Sequence, residues 1–210
     1  MRKISYKNTW LAETENKISR WFRPKHSTDQ AATVLVDKIS SLLNRNMKVA
    51  SIFLDMSKAF DCVDHKILLQ KLYSYGIRGV AYSWFRSYLT GRTQKVIYNG
   101  VLSKNTSEIN CGVPQGSILG PLLYLIYVND CAKSLKHSDA ILYADDTTLV
   151  FSAKTYSDFY KFMNESLRNL HKWLCLNKLT LNASKTKYMI YSISSRTANV
   201  PPELSVKIDR

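Results

Sequence analysis

Val49-Ala50-Ser51-Ile52-Phe53-Leu54 is a short, nearly continuous apolar run that ends abruptly at Asp55. A half-exposed strand would alternate polar and apolar residues, so a run of this kind predicts a strand covered on both faces. Upstream, apolar residues at helical spacing from Ala31 to Leu43 predict a helix. Downstream, Ile67, Leu68, Leu72 and Tyr75 share one side of a helix over about Asp64–Tyr75 that stops at Gly76, and a second helix covers Val80–Leu89. Asn99-Gly100 joins Gln94–Tyr98 to a strand beginning at Val101, a strong hairpin signal. The segment Cys111-Gly112-Val113-Pro114-Gln115-Gly116-Ser117 is a loop opening a helix that runs to about Val128. A second hairpin pairs Ala140–Tyr143 with Thr147–Phe151 around Ala144-Asp145-Asp146. Phe159, Phe162, Met163, Leu167, Leu170, Trp173 and Leu174 mark a long amphipathic helix, and strands over Lys178–Leu181 and Lys187–Ile193 close the pattern. Helices interleave with hairpins rather than alternating as regular β-α-β units, which predicts an α+β layer fold.

The 210 residues hold 30 Lys and Arg against 16 Asp and Glu, a formal net charge of +14, and 45% of them are hydrophobic. That apolar share is enough for a core and argues against a disordered tail. The surplus of positive charge makes a polyanion the default partner. Met1–Trp10 has no apolar run where a secretory signal would place one, so an intracellular protein is expected. The longest apolar stretch, Ile118–Val128, is too short to span a bilayer and carries Gly120 and Pro121, so no membrane is expected among the partners. Cys62, Cys111, Cys131 and Cys175 lie far apart with no C-x-x-C pair, which suggests neither a disulfide frame nor a zinc ribbon. Cys62 and His65 have the spacing of half a zinc site, without a matching half.

Three carboxylates stand where folding alone gives little reason for them. Asp55 ends a buried strand, and Asp145 and Asp146 sit side by side at the tip of an apolar hairpin. Adjacent carboxylates in a half-buried setting repel unless something positive lies between them. Oxygen-only ligation suits Mg²⁺ or Mn²⁺ rather than zinc, and two such ions about 3.5–4 Å apart would clamp the attacking and leaving oxygens of a phosphoryl transfer. The same residues also have ordinary readings. Aspartate favours turn geometry, and an Asp after an apolar strand is often a helix N-cap.

Order and spacing add to this. Ile52-Phe53-Leu54-Asp55-Met56-Ser57-Lys58-Ala59-Phe60-Asp61, then Gly112-Val113-Pro114-Gln115-Gly116-Ser117, then Tyr143-Ala144-Asp145-Asp146 resemble, in this order, the palm motifs of reverse transcriptases. The neighbouring text is similar to the non-LTR (LINE-type) retrotransposon branch and its jockey-like members: Cys62-Val63-Asp64-His65, Ile118-Leu119-Gly120-Pro121-Leu122, Lys178-Leu179-Thr180-Leu181-Asn182, and upstream Phe22-Arg23-Pro24-Lys25-His26-Ser27-Thr28. Group II intron maturases share the palm motifs but are less similar in these flanks. The resemblance covers about residues 20–193.

It implies an RNA-directed DNA polymerase core acting with an RNA template, a DNA primer and dNTPs through two Mg²⁺ ions, Mn²⁺ also being suitable. Asp55, Asp145 and Asp146 would be the metal-binding triad, with the backbone carbonyl of Met56 as a further ligand. Phe60 matches the family's aromatic gate against a ribose 2′-hydroxyl, although an ordinary core phenylalanine reads the same way from sequence. Gln115 and Gly116 match the loop against the incoming nucleotide and template, and Ser117 would cap the next helix. Arg23 would reach the triphosphate, in a segment where Trp21 replaces the family's glycine. Lys185 matches the lysine that protonates the pyrophosphate leaving group; a surface lysine contacting phosphate is the plainer reading. Tyr82, Trp84, Phe85 and Tyr88 could form a base-stacking platform, but their helical spacing points to core packing.

The implied architecture is a right-hand polymerase palm, an antiparallel sheet backed by helices, with partial fingers and no thumb. Its expected parts are 1–50 partial fingers, 51–65 palm, 66–113 fingers-like helices and hairpin, 114–193 palm, and 194–210 a linker and an unfinished strand begun by Leu204, Val206 and Ile208. Full-length members carry an endonuclease and a thumb that do not fit here, so a fragment with weak or no activity alone is expected. A non-catalytic nucleic-acid-binding remnant and a chain that does not fold stably are the other expectations.

Overall fold

The computed structural model describes residues 28–143 and 146–192. The elements are α1 (Thr28–Asn44), β1 (Lys48–Leu54), α2 (His65–Ser74), α3 (Gly79–Leu89), β2 (Thr93–Gln94), β3 (Ile97–Tyr98), β4 (Val101–Leu102), β5 (Ser107–Glu108), α4 (Leu119–Val128), β6 (Ser138–Tyr143), β7 (Asp146–Ala153), α5 (Tyr156–Leu176) and β8 (Lys187–Tyr191). They fall into two compact units. One is built on β1 and takes in Asn129–Leu174 and the stretch from Leu181; the other comprises Ser57–Val128 and Cys175–Thr180.

The first unit holds an antiparallel sheet in the order β6-β7-β1-β8. The apolar run is its centre: β1 pairs with β7 from Lys48↔Ala153 to Leu54↔Thr147, and with β8 from Val49↔Tyr191 to Phe53↔Lys187. On one face Val49 and Val150 pack with Ile39 of α1, ringed by Leu35, Leu42, Leu43, Met47 and Tyr191. Alternation turns Ala50, Ile52 and Leu54 to the other face, and these are buried too. The strand is covered on both faces, as its composition predicts. α5 buries a stripe of Phe159, Met163, Leu167, Leu170, Trp173 and Leu174, the spacing of an amphipathic helix on a core.

In the second unit α2 packs against α3 and α4. Asp64 starts α2 as its N-cap, Oδ1 accepting from the N–H groups of Lys66 (2.9 Å) and Ile67 (3.0 Å), while Oδ2 takes the Lys178 ammonium at 2.6 Å. Burial raises this carboxyl's pKa, but the Lys178 hydrogen bond, the Ile67 N–H, the Lys178 charge and the Lys66 N–H outweigh it and hold Asp64 below its ordinary 3.8. A depressed folded pKa contributes stability above the unfolded value and loses it as pH falls through the folded value. Asp64→Ala is therefore expected to cost about 1–2 kcal/mol at pH 7. The gap to the parent should narrow as pH drops below 3.8, read from denaturant melts at several pH values. Lys178 is largely exposed, so the cap rather than the ion pair carries most of that effect.

The hairpin at Asn99-Gly100 forms with both turn residues at positive φ, 47° and 76°, joining Ile97–Tyr98 to Val101–Leu102; these are the angles of a type I′ turn. Two expectations need correction. Lys178–Leu181 is not a strand: Lys178 has φ +53°, and only Leu181 forms a bridge, to Met56. The polar turn Asn182–Thr186 follows at once, so the ladder resumes only at β8. Nor are the aromatics of α3 core residues. Only Leu89 of that helix is buried, and Trp84 is 51% exposed. The rings pack on one another, Trp84 stacking on Tyr88 at 5.3 Å and meeting Phe85 edge-on at 5.1 Å. Helical spacing brought the rings together, and they are only partly covered: Tyr82 meets Tyr73 of α2 edge-on at 5.7 Å and the Tyr88 hydroxyl bonds Ser117 Oγ at 2.8 Å. Ile193 and the strand expected from Leu204 lie outside the described residues. No helix among the described residues is long and apolar enough to cross a membrane.

Candidate active site

Asp55 follows the last paired residue of β1 and is half-buried. Its backbone is fixed from one side, its carbonyl accepting the N–H of Asn182 at 2.8 Å. Met56 is buried and bridges Leu181. That bridge uses the groups flanking Met56, which leaves the Met56 carbonyl out of it. Among the described residues the Asp55 carboxylate makes no hydrogen bond or ion pair.

Asp146 is the first residue of β7 and pairs with Tyr143 of β6. β1 and β7 pair up to Leu54↔Thr147, so Asp55 and Asp146 are the next positions at that end of the two strands. Two carboxyl-bearing residues therefore stand at one end of the sheet's central strand pair. Among the described residues no group of three or more His, Cys, Asp or Glu is gathered to hold a metal. Asp145 lies outside those residues, as does Arg23.

Lys185 is exposed on the turn that follows Asn182. The turn is closed by N–H bonds from Lys185 (3.2 Å) and Thr186 (2.9 Å) to the Asn182 carbonyl. Asn182 thus ties the lysine's turn to the backbone of Asp55. The pattern of apolar residues gives no hint of this link, because it is made by main-chain groups across 127 positions, the separation of Asp55 and Asn182.

In the second unit Phe60 is half-buried with its ring 4.8 Å from the buried ring of Tyr124. The carbonyl of Phe60 accepts the N–H of Val113 at 2.9 Å, and that of Val63 accepts the N–H of Gly112 at 2.8 Å. The buried His65 bonds the Gly112 carbonyl through Nε2 at 2.7 Å. Cys62 Sγ bonds the Ser57 carbonyl at 3.7 Å, so both Cys62 and His65 reach backbone carbonyls here. The four cysteines are free thiols. Gln115 donates from Nε2 to Asp61 Oδ1 at 2.9 Å, a partner that the sequence alone did not assign. Gly116 has φ +79° with open space around it. Ser117 Oγ accepts from the N–H groups of Leu119 (3.1 Å) and Gly120 (3.3 Å), the cap expected of it.

The fold and these motifs have known counterparts. Residues 3–206 match the family model described as reverse transcriptase (RNA-dependent DNA polymerase). The probable RNA-directed DNA polymerase from transposon X-element of Drosophila melanogaster is 28% identical over 89% of this chain and 20% of its own length. The RNA-directed DNA polymerase from mobile element jockey of the same species is 30% identical over 88% and 20%, and the corresponding probable enzyme from transposon BS is 32% identical over 79% and 19%. The chain thus spans about a fifth of the length of the curated relatives it matches. Among solved structures, telomerase from Candida albicans, determined with the TWJ fragment of telomeric RNA, aligns with a TM-score of 0.62 at 18% identity over 85% of this chain and 32% of that one. Apo telomerase from Candida tropicalis, truncated of its C-terminal domain, aligns at 0.58 over 80% and 36%. The α+β arrangement of helices and antiparallel sheet is therefore a reverse-transcriptase-like fold, and the chain belongs to the reverse transcriptase (RNA-dependent DNA polymerase) family.

Proposed function

We propose that this chain is the RNA-directed DNA polymerase core of a jockey-like non-LTR retrotransposon, joining dNTPs to a primer 3′-hydroxyl on an RNA template. The observation that carries the reading is the β1–β7 register, which ends at Leu54↔Thr147 and so brings Asp55 and Asp146 to the same end of the two strands, in a chain matched to this family along residues 3–206. On this reading the sheet and its helices are palm, over 51–65 and 114–193, and 66–113 is fingers-like, as is 1–50.

The donors fit a hard divalent cation: carboxylates of Asp55, Asp145 and Asp146, and the Met56 carbonyl, all oxygen. When bound there, two Mg²⁺ ions, or Mn²⁺, supply a lowered pKa for the primer hydroxyl and countercharge for the reacting phosphate. The remaining work falls to the protein's own groups. Asp55 holds its carboxylate at the sheet end because Asn182 fixes its backbone. Arg23 pairs with the triphosphate as a planar donor. Phe60 limits room at the sugar, Gln115 and Gly116 lie against the nucleotide and template, and Lys185 gives a proton to the departing pyrophosphate. The net charge of +14 draws in the nucleic-acid partners.

Labelled dNTP incorporation on an oligo(dT)-primed RNA template tests this. Extension in Mg²⁺ that stops on chelation is expected. Retention of the primer–template by a folded protein with no extension would favour the rival reading, a binding-only remnant.

A further inference from the structure

Asp61 is exposed, one residue beyond Phe60, and nothing so far assigns it a task. Its carboxylate accepts from Gln115 Nε2 at 2.9 Å. Both residues line a cavity of about 510 Å³ together with Arg92, Gln94, Glu108 and Asn110. An ionised carboxylate only accepts hydrogen bonds, so it can face the amide nitrogen of Gln115 but not its oxygen. The amide is thereby locked in one of its two orientations, and Oε1 is left as the acceptor for a ligand.

The backbones that carry the pair are also locked. Gly112 and Val113 donate to the carbonyls of Val63 and Phe60 at 2.8 and 2.9 Å, and buried His65 bonds the Gly112 carbonyl. Gly112 leaves no slack, since a Cβ there would lie 3.0 Å from the Asp61 carbonyl oxygen.

We propose that Asp61 is a positioning residue that orients Gln115 so that its Oε1 accepts a hydrogen bond from a donor on the incoming nucleotide, a sugar hydroxyl or a base amine. This rests on the nucleotide-facing role proposed for Gln115.

A double-mutant cycle tests it, with Asp61→Ala, Gln115→Ala and the pair together, each checked for an unchanged melting transition. The expected result is a rise of about tenfold in dNTP KM for Asp61→Ala with kcat nearly kept, and no further loss in the double variant beyond Gln115→Ala alone. Asp61→Asn, which still accepts but no longer forbids the flipped amide, should fall between parent and Asp61→Ala. Additive losses, or a fall in kcat and melting temperature with KM unchanged, would overturn the proposal and leave Asp61 a loop staple. If the parent binds dNTP on a primer–template without turning it over, the same cycle is read in Kd. A folded parent that neither binds nor incorporates dNTP removes the underlying polymerase reading, and this proposal with it; that outcome is told apart because the parent itself fails.

Discussion

Asp55→Asn should abolish Mg²⁺-dependent incorporation, by at least about a thousandfold, while leaving the fold intact and slightly more stable in metal-free buffer. The two halves of this expectation have one cause. Asp55 and Asp146 follow the last β1–β7 pair at one end of the central strands, and neighbouring like charges in a sheet destabilise by a few tenths of a kcal/mol up to about 1. Neutralising Asp55 removes that repulsion and, with it, a ligand. Mg²⁺ should then raise the melting temperature of the parent and not of the variant. At about ten times its Kd, a ligand bound only to the folded state contributes about 1.4 kcal/mol. A variant less stable than the parent in chelator would mean that Asp55 serves the fold, as a buried cap would. Equal Mg²⁺ stabilisation of both proteins would place the cation elsewhere.

Gly112→Ala should be the most damaging single-methyl change in the second unit, costing about 2–4 kcal/mol by thermal or denaturant melting. Gly112 has φ +85°, a conformation L side chains rarely adopt, and its added Cβ would meet the Asp61 carbonyl oxygen at 3.0 Å and Asp61 Cα at 3.2 Å. Those are backbone atoms, so relief requires moving a segment pinned by the Phe60–Val113 and Val63–Gly112 bonds. Moving it would separate Asp61 from Gln115. Stability and nucleotide affinity should therefore fall together in Gly112→Ala, whereas Asp61→Ala should lower affinity alone. An alanine variant with the parent's melting curve would contradict the tight docking of these two segments.

Much of this architecture is legible in single segments, because local rules decide it. The nearly continuous apolar run before Asp55 becomes the strand paired on both edges, Asn99-Gly100 makes its two-residue turn, and Asp64 caps α2. The three motifs, in order, carry the family resemblance on their own, and the family match agrees. What stayed hidden depends on partners far away in the chain. Lys178 leaves the extended conformation to meet Asp64, 114 positions earlier, and nothing within Lys178–Leu181 signals that. The rings of α3 carry helical spacing, yet spacing says which side chains share a face and not whether another element will cover it. Asp61 was visible as an acid in a basic chain, but its task needs Gln115, which sits 54 positions away.

The proposed task of Asp55, Asp145 and Asp146 is nucleotidyl transfer. Its most direct test is single-nucleotide incorporation in Mg²⁺ on a primed RNA template, by the parent and by Asp145→Asn side by side. Incorporation by the parent and none by the variant, with both folded, is the expected result. Incorporation that survives Asp145→Asn would contradict it, and so would a folded parent that incorporates nothing.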